Sequence, residues 1–285
     1  MKKSLLVMSL LSAFGALSAP VAMAEDAPAV TGNFSIVSDY RFRGISQTKN
    51  APTVQGGIDY SHSSGVYVGT WGSGVSSNQY AGGSGMEWDI YGGWKGEVAK
   101  GLTLDAGYLY YYYPKADYKF VPGSTVSKKY DNQELYLGLS AFGFTAKINY
   151  ALADYFGVNG TTAAYSNGQP NPNTVAALNA NTSSKGTTYY SLAYSGEIAP
   201  KLTLNAGVGY TQYAKFKEYS YTDYKLGLSY DLSGWALGAA VIGTSGLGNV
   251  GKNFNTLALT NGTNNSTEYT KLYKPTLVLS VGKTF

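Results

Sequence analysis

Residues 38–47 read SDYRFRGISQ, with Asp39, Arg41 and Arg43 on alternate positions and Tyr40 and Phe42 between them. An extended strand sends successive side chains to opposite faces. This rhythm therefore predicts one charged face and one aromatic face. In a soluble sheet the aromatic face would be core; in a membrane barrel the aromatics meet lipid and the charges face a lumen. The stretch alone does not choose, but its neighbours do.

The alternation recurs along the chain. Phe34 and Ile36 share the parity of Tyr40 and Phe42, while Val54, Ile58 and Tyr60 alternate with Gln55 and Asp59. Trp88, Ile90 and Trp94 alternate with Glu87, Asp89 and Lys95, and Leu102, Leu104, Ala106, Tyr108 and Tyr110 with Thr103, Asp105 and Gly107. Farther on, Leu135, Leu137 and Leu139 stand against Glu134, and Phe144, Ala146, Ile148 and Tyr150 against Lys147. Leu202, Leu204, Val208 and Tyr210 stand against Thr203 and Asn205, and Tyr224, Leu226, Leu228 and Tyr230 against Asp223 and Lys225. The segments at 187–195 and 235–242 alternate more weakly, and VYVGTWG (66–72) mixes both faces so that its sides stay unassigned. With the last segment, the reading is about twelve strands. No charge falls mid-strand on an apolar parity, as a lipid-facing wall requires when an outward Arg or Lys at the bilayer centre costs about 2–4 kcal/mol. Aromatics gather toward strand ends (Tyr40 and Phe42, Trp94, Tyr110 to Tyr113), where interfacial girdles are expected.

Connection lengths test the barrel independently. Long gaps at 44–52, 73–85, 114–131, 154–186, 214–220 and 245–271 alternate with short ones at 61–65, 95–101, 141–143, 195–201 and 231–234. Long loops on one side and tight turns on the other mark an outer-membrane barrel. The long gaps hold the Asn- and Gly-rich stretches 167–186 and 260–267, read as solvated loops. An internal repeat is also present: GEVAKGLTLDAGY (96–108) returns as GEIAPKLTLNAGV (196–208).

The ends and the composition agree. Lys2 and Lys3, the apolar run 5–17 and Ala22-Met23-Ala24 read as a cleaved secretory signal peptide over 1–24, leaving 25–285 as the barrel. Without Lys2 and Lys3, 19 of the 21 basic residues face 17 acidic ones, a balance that argues against nucleic acid as a partner. Cysteine is absent, which excludes disulfides and thiolate zinc. The 36 Gly, 27 Tyr and only 13% charged residues contrast with the roughly 25% charge of soluble domains. Leu277, Leu279, Val281 and Phe285 share one parity and read as a C-terminal signal to the barrel-assembly machinery, with Lys283 at an interface.

Residues 38–60, SDYRFRGISQTKNAPTVQGGIDY, followed by SGVYVGTWGS at 64–73, resemble the N-terminal signature of the TorF-family porins of Gram-negative bacteria. The resemblance implies an outer-membrane barrel with a porin role, and no substrate.

Catalysis finds little to work with. His62, the single histidine, falls at a predicted short turn, so a Ser-His-Asp arrangement lacks a placed base. One His and no Cys also argue against a transition-metal site. Glu87 and Asp89 could serve acid/base chemistry, but on alternate strand positions they read as lumen lining. GGSG at 82–85 lacks the Lys-Ser/Thr of a phosphate loop. The lumen-lining candidates are Asp39, Arg41, Arg43, Asp59, Glu87, Asp89, Asp105, Glu134, Lys147, Asp223 and Lys225. Either they set the ion preference of a pore or they pair across a narrow interior. The expectation is an all-β, transmembrane, antiparallel up-and-down barrel embedded in outer-membrane lipid, with short periplasmic turns and long extracellular loops. It passes small polar solutes or ions by diffusion, and it is neither an enzyme nor a cofactor protein. The alternative is a sealed structural or adhesive barrel whose loops bind a partner. On this reading SDYRFRGIS is the upper part of the first strand, with Tyr40 and Phe42 in the outer girdle and Gly44 opening the first surface loop.

Overall fold

The computed structural model describes residues 29–78, 83–119, 127–163, 165–166, 169–170, 182–254, 256–260 and 267–285. The signal peptide expected at 1–24 lies outside these residues, as does most of the Asn-rich sequence at 167–186 and 260–267. Twelve strands form the wall: β1 (Ala29–Val37), β2 (Thr53–Ser61), β3 (Val66–Gly74), β4 (Met86–Ala99), β5 (Leu102–Tyr112) and β6 (Asn132–Ala141) in the first half. β7 (Phe144–Ala151), β8 (Thr188–Ala199), β9 (Leu202–Gln212), β10 (Tyr221–Leu232), β11 (Trp235–Ser245) and β12 (Thr276–Thr284) complete it. Each pairs antiparallel with its sequence neighbours, and β1 pairs with β12 to close the barrel. Closure leaves no open edge, so every wall strand has a hydrogen-bonding neighbour on both sides. Phe285 adds two bonds just past the β12 end, donating its N–H to the Gly32 carbonyl at 2.8 Å and accepting from the Gly32 N–H at 3.2 Å.

Short connections at 62–65, 100–101, 142–143, 200–201 and 233–234 alternate with long ones at 38–52, 75–85, 113–131, 152–187, 213–220 and 246–275. Two expected turns were too wide: 95–99 and 195–199 are strand, and only two residues turn. The reason is a shared irregularity. The register shifts between Glu97 and Ala99 in the β4–β5 hairpin and between Glu197 and Ala199 in the β8–β9 hairpin. The 100-residue repeat thus copies a bulged hairpin, down to the bulge. A bulge takes up one extra residue while pairing continues, which the alternation alone reads as a break.

Side chains sort by parity. Ile58, Val68, Ile90, Leu137, Ile148, Leu192, Val208, Leu226 and Leu279 point outward and stay exposed on the isolated chain. Aromatics border this apolar belt. Trp88, Tyr112, Tyr150, Tyr190 and Tyr210 lie toward the long-loop end, and Tyr60, Trp94, Phe142, Phe144, Tyr230, Trp235 and Phe285 toward the short-turn end. The strands run from eight to fourteen residues; rising about 3.3 Å each and tilted by roughly 40°, they span about 20–35 Å, the range of an apolar band some 25 Å tall. The segment left unassigned resolves here: Tyr67, Trp71 and Ser73 face in, and Val66 and Val68 face out.

Candidate functional site: a tyrosine–carboxylate lumen and an inward-folded hairpin

Strand β1 follows the expected alternation to Val37 and then leaves the wall. Ser38 makes the last backbone bond of this strand to β12, its N–H bonding the Leu279 carbonyl and its Oγ accepting from the Leu279 N–H, both at 2.9 Å. Residues 39–48 are all buried, so Tyr40 (1% exposed) and Phe42 (7%) are interior residues and not part of the outer girdle. Arg41–Phe42 pairs with Ile45–Ser46 as a tiny hairpin folded into the lumen. Its two turn residues, Arg43 and Gly44, both have positive φ (45° and 81°), the arrangement of a two-residue hairpin turn. A Cβ on Gly44 would also lie 2.6 Å from the Gly243 carbonyl oxygen on β11, so only glycine seats the turn against the wall. The first surface loop therefore does not begin at Gly44.

The three charges of this stretch have different jobs. All five N–H donors of Arg41 have acceptors: Nε bonds Asp39 at 2.6 Å, and the two terminal nitrogens bond the carbonyls of Gly44 and Lys274, Asn50 Oδ1 and Thr276 Oγ1. It ties the hairpin to β12. Asp39 also accepts from the hydroxyls of Ser46 and Thr48 at 2.6 and 2.9 Å. Arg43 instead reaches across the lumen, donating to Glu134 at 2.8 Å and to the Tyr155 hydroxyl at 2.6 Å. Its guanidinium lies 4.0 Å from the centre of the Tyr189 ring and 4.8 Å from that of Phe42. Burial pushes the Tyr155 hydroxyl well above its ordinary pKa, with Arg43 beside it pulling the other way. The phenol stays protonated and its oxygen accepts from Arg43.

Tyrosines hold four more of the inward carboxylates. Glu87 accepts from Tyr40 and Tyr113, each at 2.7 Å. Asp59 accepts from Tyr91 and Asp105 from Tyr67, each at 2.6 Å, with Tyr67 also bonded to Tyr136. Asp223 accepts from Tyr189 at 3.1 Å. Glu134 takes Asn132, Asn149 and Arg43. Lys147 sits 3.7 Å from the centre of the Tyr136 ring, and Lys225 is buried on β10. Asp89 differs: it is 0% exposed and neither carboxylate oxygen has a hydrogen-bond partner. Tyrosines 40, 67, 91, 113, 136, 155 and 189, together with Asn132 and Asn149, are thus site residues that the charge pattern missed. For those on strands the signal was parity, since Tyr67, Tyr91, Tyr136 and Tyr189 share the inward register of the charges.

Accessibility is graded along the axis. On β4 the inward positions Glu87 and Asp89 are buried, Tyr91, Gly93 and Lys95 partly open, and Glu97 exposed. β8 runs the same way from buried Tyr189 through Ser191, Ala193 and Ser195 to exposed Glu197. Among the described residues the lumen is therefore a vestibule open at the short-turn end and filled at the long-loop end. Beyond the hairpin, Phe42, Ile45, Tyr113, Tyr155 and Tyr221 help to line a cavity of about 50 Å³, room for about three waters. His62 is exposed in a short turn, its ring nitrogen 2.9 Å from Ser64 Oγ. No three His, Cys, Asp or Glu side chains among the described residues are placed to hold a metal ion.

The family described as "Bacterial protein of unknown function (Gcw_chp)" matches residues 22–285. No curated protein matches the chain in sequence. Among solved structures, the KdgM porin is similar with a TM-score of 0.45 and 8% identity, over 90% of this chain and 98% of that one. An outer membrane channel from Pseudomonas putida F1 gives 0.43 and 9%, over 94% and 100%. OpdL of Pseudomonas aeruginosa gives 0.36 and 14%, over 90% and 67%.

Proposed function

We infer that this chain, which belongs to the Gcw_chp family of bacterial proteins, is an outer-membrane barrel that passes small polar solutes or ions by diffusion. The path runs through a lumen narrowed by its own first connection. The observation that carries this is the sorting of side chains in a closed wall: an apolar band bordered by aromatics outside, and a polar, charged lining inside. A soluble barrel of this kind would leave that band in water, where apolar surface is unfavourable by roughly 25 cal/mol per Å². The likeness of residues 38–60 and 64–73 to the TorF-family porins supports the same reading. The chain would be exported by residues 1–24. It would be handed to the barrel-assembly machinery through Leu277, Leu279, Val281 and Phe285, of which Leu277, Leu279 and Phe285 are exposed on the outer face.

Rate and selectivity would be set where Arg43, Glu134, Glu87 and Asp89 crowd the lumen. The test is planar-bilayer recording of chain folded in detergent, with discrete conductance steps expected. The burial of residues 39–48 supports a second reading, a sealed barrel whose long connections bind a partner. Folded protein that inserts and gives no steps would favour that second reading.

A further inference from the structure

Of the seven carboxylates that the sequence reading put inside, six have a donor: Asp39, Asp59, Glu87, Asp105, Glu134 and Asp223 each accept from an arginine, a hydroxyl or both. Asp89 has none at either oxygen. It lies in one cross-strand row with Trp71, Tyr111 and Asn132, from β3 to β6. In that row Asn132 Oδ1 is a further buried oxygen without a partner, and so is Gln55 Oε1 on β2. Glu87 stands two residues from Asp89 on the same inward register of β4. These orphaned atoms are all acceptors. The two arginines of the inward hairpin are already committed, Arg43 to Glu134 and Tyr155, and Arg41 to Asp39 and the β12 end. A buried carboxylate with no donor and no counter-charge is costly, and a bound cation, in competition with a proton, removes that cost.

We propose that Asp89 is a dwell site for a monovalent inorganic cation on the filled side of the vestibule. Among the described residues, no three carboxylate or imidazole groups converge to chelate a divalent ion. A single carboxylate holds a small cation loosely, as a transit site requires. The proposal rests on the channel reading for its role in conduction, but the binding itself does not require current.

The experiment therefore has two arms on the full chain folded in detergent. In the first, thermal unfolding is compared in potassium chloride and in N-methyl-D-glucamine chloride at equal ionic strength. Wild type should melt higher in potassium, saturably with its concentration, and Asp89→Asn should lose the difference. Equal melting in both salts, or a potassium effect that survives in Asp89→Asn, overturns the site. In the second, reversal potentials are read across a potassium chloride gradient. The potassium-to-chloride permeability ratio should fall several-fold in Asp89→Asn, and an unchanged ratio overturns the role of Asp89 in conduction. Absence of current in both proteins would sink the channel reading, and the melting arm would still decide the site.

Discussion

Arg43 shows how one residue organises the interior. It is buried, paired to Glu134 at 2.8 Å and stacked on aromatic rings, so removing it leaves a buried carboxylate without its cation. Breaking a buried pair from one side costs about 3–5 kcal/mol, whereas replacing both partners with apolar groups is often neutral. Arg43→Ala should therefore lower unfolding stability by about that amount, and Arg43→Met with Glu134→Leu should recover most of it. Urea unfolding of vesicle-embedded protein reads both, and equal losses in the single and double variants would refute the pairing argument. Arg41 shares Arg43's parity but acts as an anchor, with every donor used at the hairpin base. Alternate charges in a sequence say which residues share a face only while the backbone stays extended.

At the scale of the strand, parity separates two very different environments one residue apart. Leu226 is 60% exposed in the middle of β10, and its neighbour Lys225 is buried inside. Leu226→Arg should destabilise the membrane-embedded barrel by about 2–4 kcal/mol. Ser191→Lys, on the partly open inner face of β8, should cost much less. Denaturation from lipid vesicles compares them, and similar costs would argue against a lipid-facing wall. The repeated hairpin makes a related point about turns. Gly101 and Lys201 occupy the same left-handed position (φ 75° and 66°) after the same bulge, so the backbone path is kept although the residue that suits it best is not.

At the scale of the molecule, the barrel is closed by its last strand. Phe285 is 70% exposed, yet its backbone bonds Gly32 in both directions, and β12 seals the wall against β1 and β11. Lys283 lies between Trp235 and Phe285, 5.4 and 5.8 Å from their ring centres, a charged tip among interfacial aromatics. Deleting Phe285 should reduce the fraction of chain that reaches the heat-modifiable, fast-migrating form on cold gels. A full yield without it would remove the residue from the closure and assembly step.

The sequence by itself determined the wall. Period-two patterning and sorted connection lengths depend only on which residues can meet lipid or water, and these sufficed for twelve antiparallel strands. Only the tertiary structure decided where SDYRFRGISQ goes. Its alternation fits a strand as well as a hairpin, and the local cue, Arg43-Gly44 before Ile45-Ser46, is weak. What turns the chain inward is a set of partners far away in sequence: Glu134 and Tyr155 for Arg43, Lys274 and Thr276 for Arg41, and Glu87 for Tyr40. Closing the barrel brings these groups together, and in that low-dielectric interior a satisfied charge is stable while an unsatisfied one is costly.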